Sequence, residues 1–335
     1  MKINKYIFIT SLLLILSKNG FSNYKHYNIK NGLSNTHINC INQDKLGYLW
    51  IGTDDGLNQF DGYEFKIFFH SPVDSNSLSS SAVYTIHISN DSNIWIGTFK
   101  GLDLYKAKNQ SFEHKIIPFP NLKNNNLPVK TIAESSSGIL WIGTSGGGLI
   151  AVNKKTWKPV HIINSYLFPV IKSDFIYSLL IDKNGKIWFG TENGGAYTYD
   201  PVNKILLPLS QIIKNKTIAL IYEHTDNNIW LGTIYDGLYV YNQKYDKLQR
   251  FENYYNLPFN ISGETIYSIL KDDDNTISIG TNGSGIFKIN LENKTIINEK
   301  YNPNNTQGIS GNKIRVIFRD KQKNKWYAIH QTGID

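Results

Sequence analysis

Trp50-Ile51-Gly52-Thr53 recurs as Trp95-Ile96-Gly97-Thr98, Trp141-Ile142-Gly143-Thr144, Trp188-Phe189-Gly190-Thr191 and Trp230-Leu231-Gly232-Thr233. Two weaker copies follow, Ser278-Ile279-Gly280-Thr281 and Trp326-Tyr327-Ala328-Ile329. The steps between first residues are 45, 46, 47, 42, 48 and 48. A period of this size, carried by strand-forming residues, marks one supersecondary unit repeated in a stack or a ring.

Each copy sits inside the same grammar. An alternating run of β-branched and aromatic residues comes first, as in Val83–Ile88 or Ile176–Ile181; we call it strand A. A polar turn follows, such as Asp44-Lys45-Leu46-Gly47 or Asp272-Asp273-Asp274-Asn275, of residues that tolerate tight hairpins. The Trp-Ile-Gly-Thr run is strand B. Its period of two puts Trp50 and Gly52 on one face and Ile51 and Thr53 on the other. The Gly lets a neighbouring backbone or ring approach closely. A turn ending in Gly and an apolar residue leads to strand C, and a run such as Glu64–Phe69 is strand D. Four antiparallel strands per period of this length make the blade of a β-propeller. The expected fold is all-β: a seven-bladed propeller of four-stranded antiparallel blades. Trp50, Trp95, Trp141, Trp188, Trp230 and Trp326 are its structural blade motif.

The ends of the chain complete the ring. Tyr24–Ile29 falls in a strand D position with no A, B or C before it, and the seventh copy has A, B and only the start of C at Thr332–Asp335. The N-terminal strand is therefore expected to complete the last blade and remove a free edge. Because that blade lacks most of its third strand, the propeller is expected to be incomplete at the C-terminus, within a longer protein. Residues 1–22 read as a secretory signal peptide: Lys2 and Lys5, an apolar Tyr6–Leu16 and small residues before a cleavage after Ser22. The propeller then spans 23–335, in the periplasm or secreted. Cys40 is the lone cysteine, which excludes an internal disulfide. The net charge of +8, or +5 without Lys2, Lys5 and Lys18, comes from scattered lysines. No basic stripe with stacking aromatics suits nucleic acid.

These motifs resemble the two-component regulator propeller repeat. The match runs through Asn31-Gly32-Leu33-Ser34-Asn35-Thr36-His37-Ile38 and on from Asp44 to Gly62, and Ser71–Ser79 and Tyr301–Asn305 look like the family's inter-blade loop. The resemblance implies the periplasmic sensor half of a hybrid two-component system, in which two such rings precede a β-sandwich, a membrane helix and a histidine kinase. It implies no catalysis in the ring itself, a ligand that is an oligosaccharide or another small molecule, and membrane attachment and dimer formation only through parts beyond this chain. Propeller lyases and hydrolases acting on glycans share the general blade plan, and a protein-interaction scaffold is the third reading.

No cofactor or metal is expected. The eight His residues show no zinc-binding spacing. Asp272–Asn275 lacks the Gly and distal Glu of a calcium loop and falls at the A–B turn used by every blade. Binding candidates come from the B–C and D–A loops, which share one face of the disc: Asp54, Asp55, Lys100, Glu192, Tyr235, Asp236 and Asn282, with Tyr254 and Tyr255. Aromatics beside carboxylates and amides suit a sugar. Trp157 lies outside the register and is either surface packing or an interface contact.

Overall fold

The computed structural model describes residues 24–119, 126–224 and 227–335; the expected leader lies outside them. Seven antiparallel sheets follow one another in sequence order. Six have four strands, and the seventh has three. The first blade is Ile38–Gln43, Leu49–Thr53, Gly56–Phe60 and Phe65–Phe68. The last is Ile314–Arg319, Lys325–Ile329 and Gly333–Ile334. The A strands of successive blades touch round the ring, and the seventh meets the first, so strand A lines the axis and strand D the rim.

The repeated tetrapeptide works one residue at a time. Trp50 packs among Val83, Ile86 and Ile96 of the second blade, while Ile51 packs among Ala328 and Ile334 of the seventh. The two faces of strand B thus serve opposite neighbours, as the period of two requires. Gly52 faces the second blade with Trp50. A Cβ there would stand 2.5 Å from Cys40 Sγ and 2.6 Å from Val83 Cγ1. At Gly190 the same atom would meet Ile218 Cβ of the next blade at 2.6 Å. Thr53 Oγ1 donates to Gly56 O at 2.8 Å and closes the B–C turn, as Thr191 does to Gly195 O at 3.0 Å.

The A–B turn holds the indole. Asp44 accepts Leu46 N and Tyr48 N on one oxygen and Trp50 Nε1 on the other, each at 2.9–3.0 Å. Asp182 treats Asn184, Lys186 and Trp188 identically. Ser89 and Asp320 accept from Trp95 and Trp326. In the fifth blade His224 occupies this place and stacks on Trp230 at 4.5 Å. In the sixth, Asp272 accepts from Ser278 and pairs with Arg319 and Lys325 of the seventh blade, and Asp273 caps the turn at Asn275 N and Thr276 N. Trp157 stacks on Trp95 at 5.6 Å and donates to Ile116 O at 2.7 Å, so it packs against its own molecule.

The ring closes through the N-terminal segment. Tyr27 N donates to Ile334 O and Ile334 N to Tyr27 O, at 2.8 and 2.9 Å. Tyr27 also packs beside Phe60 and Trp326. The fourth strand expected over 24–29 is a single bridge, because Gly333–Ile334 offers two residues to pair with and a 3-10 turn begins at Ile29. Lys321 Nζ to Asp44 O and the Gln43–Gln322 pair tie the same seam on the other face.

Trp188→Ala removes a buried indole and leaves Asp182 Oδ2 without its donor. It should cost about 3–5 kcal/mol, read as a lowered denaturant midpoint. Gly190→Ala should cost about 1–3 kcal/mol by overpacking in the same measurement.

Candidate functional site

Strand A pairs with strand B imperfectly in every blade. The register slips at its second residue, which is left without a partner on strand B. A bulge of this kind turns one side chain out of the sheet. The seven skipped residues are Asn39, Tyr84, Lys130, Tyr177, Ala219, Tyr267 and Arg315. All seven line one cavity of about 290 Å³ on the axis, with Asp54, His37 and His330 at its mouth. Asp54 and His330 belong to B–C turns, so the cavity opens on the face that carries the B–C and D–A loops. Ala219, the one small member, leaves the wall of the fifth blade open.

The cavity is polar, aromatic and positively charged. Lys130 Nζ lies 3.2 Å from the Tyr84 ring centre, and the Arg315 guanidinium 4.7 Å from that of Tyr267. Asn39 Nδ2 donates to Asp54 Oδ1 at 2.8 Å and to Val83 O at 2.9 Å. His37 Nδ1 is 3.3 Å from Asp54 Oδ2, and its ring stacks on His330 at 4.2 Å. Burial pushes the Lys130 ammonium down to about 8; the Arg315 charge adds to this, and Asp54 and Glu192 oppose it. Burial also lowers His330, helped by His37, Lys313 and Arg315. It raises the Tyr84 and Tyr177 phenols, with Asp54 and Glu192 respectively contributing. Lys130 remains mostly protonated at neutral pH.

The loop residues singled out from sequence fall into three groups. Asp54 lines the cavity, Asn282 lines an adjoining depression with Tyr267, Lys313 and Arg315, and Glu192 is close enough to act on Lys130 and Tyr177. Asp55, Lys100 and Tyr235 stand exposed on turns of the same face. The rest are held in the frame. Burial would raise the Asp236 carboxyl, but hydrogen bonds from Lys216, Tyr239 and Arg250 outweigh it and hold it at about 2. Tyr254 and Tyr255 do not project from the face. The chain turns back after strand D as a short helix, Phe251–Tyr254, so that both rings pack in the core cluster around Trp230 and the Tyr254 hydroxyl accepts from Asn228 and Asn242.

The ring of bulge residues was not foreseen, because strand A reads as a plain alternating strand. The available signal was a column following the first Ile or Val of strand A that keeps no residue type: Asn, Tyr, Lys, Tyr, Ala, Tyr, Arg.

The sequence profile of the two-component regulator propeller family matches residues 32–55, 77–100, 122–146 and 171–193. Histidine kinase P4 of Formosa agariphila is 45% identical over 75 residues, 22% of this chain and 6% of the kinase. Among solved structures, the extracellular domain of a hybrid two-component system from B. thetaiotaomicron superposes with a TM-score of 0.80 at 27% identity, over 92% of this chain and 41% of that one. Virginiamycin B lyase of Staphylococcus aureus, at 13% identity and a TM-score of 0.64 over 89% of this chain and 94% of the lyase, shares the fold. The chain thus spans less than half the length of the two-component relatives it matches. Among the described residues no helix is long and apolar enough to cross a membrane.

Titration of the Lys130 side chain by NMR should give a pKa near 8, with a partial rise in Arg315→Met because burial, the larger cause, remains. Since the unfolded chain holds this proton more tightly, stability relative to Lys130→Met should rise as pH rises from about 8 to 10.5.

Proposed function

We propose that this chain, which carries two-component regulator propeller repeats, is the non-catalytic ligand-reading part of an exported sensor and that its ligand is an oligosaccharide released from a polysaccharide. The observation that carries this reading is the axial ring: a repeated frame presenting one side chain per blade, of differing types, to one cavity. Three tyrosines offer flat faces for sugar rings, and Asn39, Lys130 and Arg315 offer donors for hydroxyl oxygens. Binding at the axis touches all seven A strands at once, so occupancy can change how the blades sit against one another. The similarity to an extracellular domain of a two-component system supports a place outside the cytoplasm, where a cleaved leader at 1–22 would deliver the chain. Transmission of the signal belongs to the rest of the assembly, for which the kinase relative is the guide.

One observation favours a second reading, a propeller lyase or hydrolase. His37, His330 and Asp54 converge at the mouth of the cavity. The stacked rings and the 3.3 Å contact to Asp54 orient neither imidazole for proton abstraction as a tight hydrogen bond would. Turnover of any glycan that disappears in His330→Ala would favour this enzyme reading.

Calorimetry of the full chain against a panel of neutral and acidic oligosaccharides should give saturable binding to at least one. Ala219→Trp should fill the axial cavity and abolish that binding with the thermal midpoint retained. Silence across the panel would remove autonomous binding.

A further inference from the structure

The two cations of the axial cavity differ from most of the protein's other half-buried basic groups, Lys186 on the Trp188 face being an exception. Only three arginines occur in the chain. Arg250 binds Asp236 at 2.7 Å, and Arg319 binds Asp272 at 3.2 Å. Lys154 is held between Asp91 and Glu134, and Lys288 pairs with Glu299. Arg315 and Lys130 have no ion pair among the described residues. Each rests instead on a tyrosine face, and each feels the other's charge. The one carboxylate lining the cavity, Asp54, already accepts from Asn39 and approaches His37. Glu192 is not among the lining residues and makes no ion pair among the described residues, though its charge acts on Lys130. Lys313 adds a third basic side chain in the adjoining depression.

Half-buried cations that repel one another without an ion-paired partner are costly unless an anion completes them. We propose that the axial cavity recognises a negatively charged substituent on a sugar, a carboxylate or a sulfate ester, held between Lys130 and Arg315. The proposal rests on the reading of this cavity as a sugar site and names the class of sugar. Arg315 supplies the planar fork that matches either oxyanion, and Lys130 supplies a compact charge. Both groups attach to a ring whose apolar face meets the tyrosines, so charge and ring are read together. A cavity of about 290 Å³ lies near the lower end of ligand-site volumes, which suits one charged sugar unit with the chain continuing over the adjoining depression.

The test uses sugars that differ only at C6: glucose, glucuronate and glucose 6-sulfate, together with the galactose, galacturonate and galactose 6-sulfate set. Binding to the full chain is followed by protein-observed NMR at constant ionic strength. At least one charged sugar should bind tenfold or more tightly than its neutral counterpart, and the arm that binds tighter distinguishes carboxylate from sulfate. Lys130→Met and Arg315→Met should each erase most of this preference, and affinity should fall as pH rises through about 8, where Lys130 loses its charge. Equal binding of neutral and charged sugars, a preference that survives both substitutions, or no binding by any of the six would overturn the proposal. If neutral oligosaccharides bind in the calorimetric panel while the charged preference is absent, the sensor reading stands and the anion site falls.

Discussion

An indole packed on the next blade, and in four of the blades clipped by its N–H to the side chain six residues before it, is the contact on which the ring depends. Asp44 and Asp182 each satisfy two backbone amides of a hairpin and one tryptophan N–H. The turn therefore fixes the indole, and the indole fixes the next blade. The Gly two residues on then lets that blade's strand A come within a distance no Cβ would permit. Neither contact makes a ring alone. Repeated round the axis, they set both the spacing and the tilt between sheets. Where the motif weakens, other contacts take over: Ser278 replaces the indole, and Asp272 gathers Arg319 and Lys325 across the same interface.

That frame frees one residue per blade. The bulge at the second position of strand A removes a side chain from the packing demands on either face and aims it at the axis. The blades pay no packing cost for what stands there, so Ala219 and Arg315 occupy equivalent places. A rigid scaffold with a variable ring is the arrangement expected of a recognition surface. It differs from a cluster of loops in that every member is anchored by a strand, so the side chains meet with little backbone freedom.

Electrostatics separates the frame from the ring. Asp236, Asp272 and the Asp91–Glu134 pair each hold basic groups within or between blades, and every charge there has a direct ion-pair partner. At the axis such pairs are missing among the described residues, since Asp54 is engaged by the Asn39 amide and a histidine while Lys130 and Arg315 rest on aromatic faces. A ligand that neutralises the axis would relieve a repulsion shared between the third and seventh blades, on opposite sides of the ring.

The blade was fully legible in the chain. Period two put Trp50 and Ile51 on opposite faces of the strand, the turn residues located the hairpins, and the orphan run Tyr24–Ile29 with the short run at the C-terminus announced the seam. The B–C turn residue Asp54, singled out from sequence, lines the axial cavity, which the sequence did not announce. What stayed hidden depended on displacement by one residue. A bulge leaves no mark on composition, so Tyr84 and Arg315 read as ordinary strand residues, and Tyr254 and Tyr255 read as loop residues although the chain folds back and packs them, half-buried, against the cluster around Trp230. The local pattern alone determined the number of blades, their order and their packing faces, because each follows from periodicities that a strand must obey. Only the closed ring decided which side chains meet, because residues some 45 positions apart become neighbours at the axis through the accumulated rotation of seven sheets, and no local pattern encodes that sum.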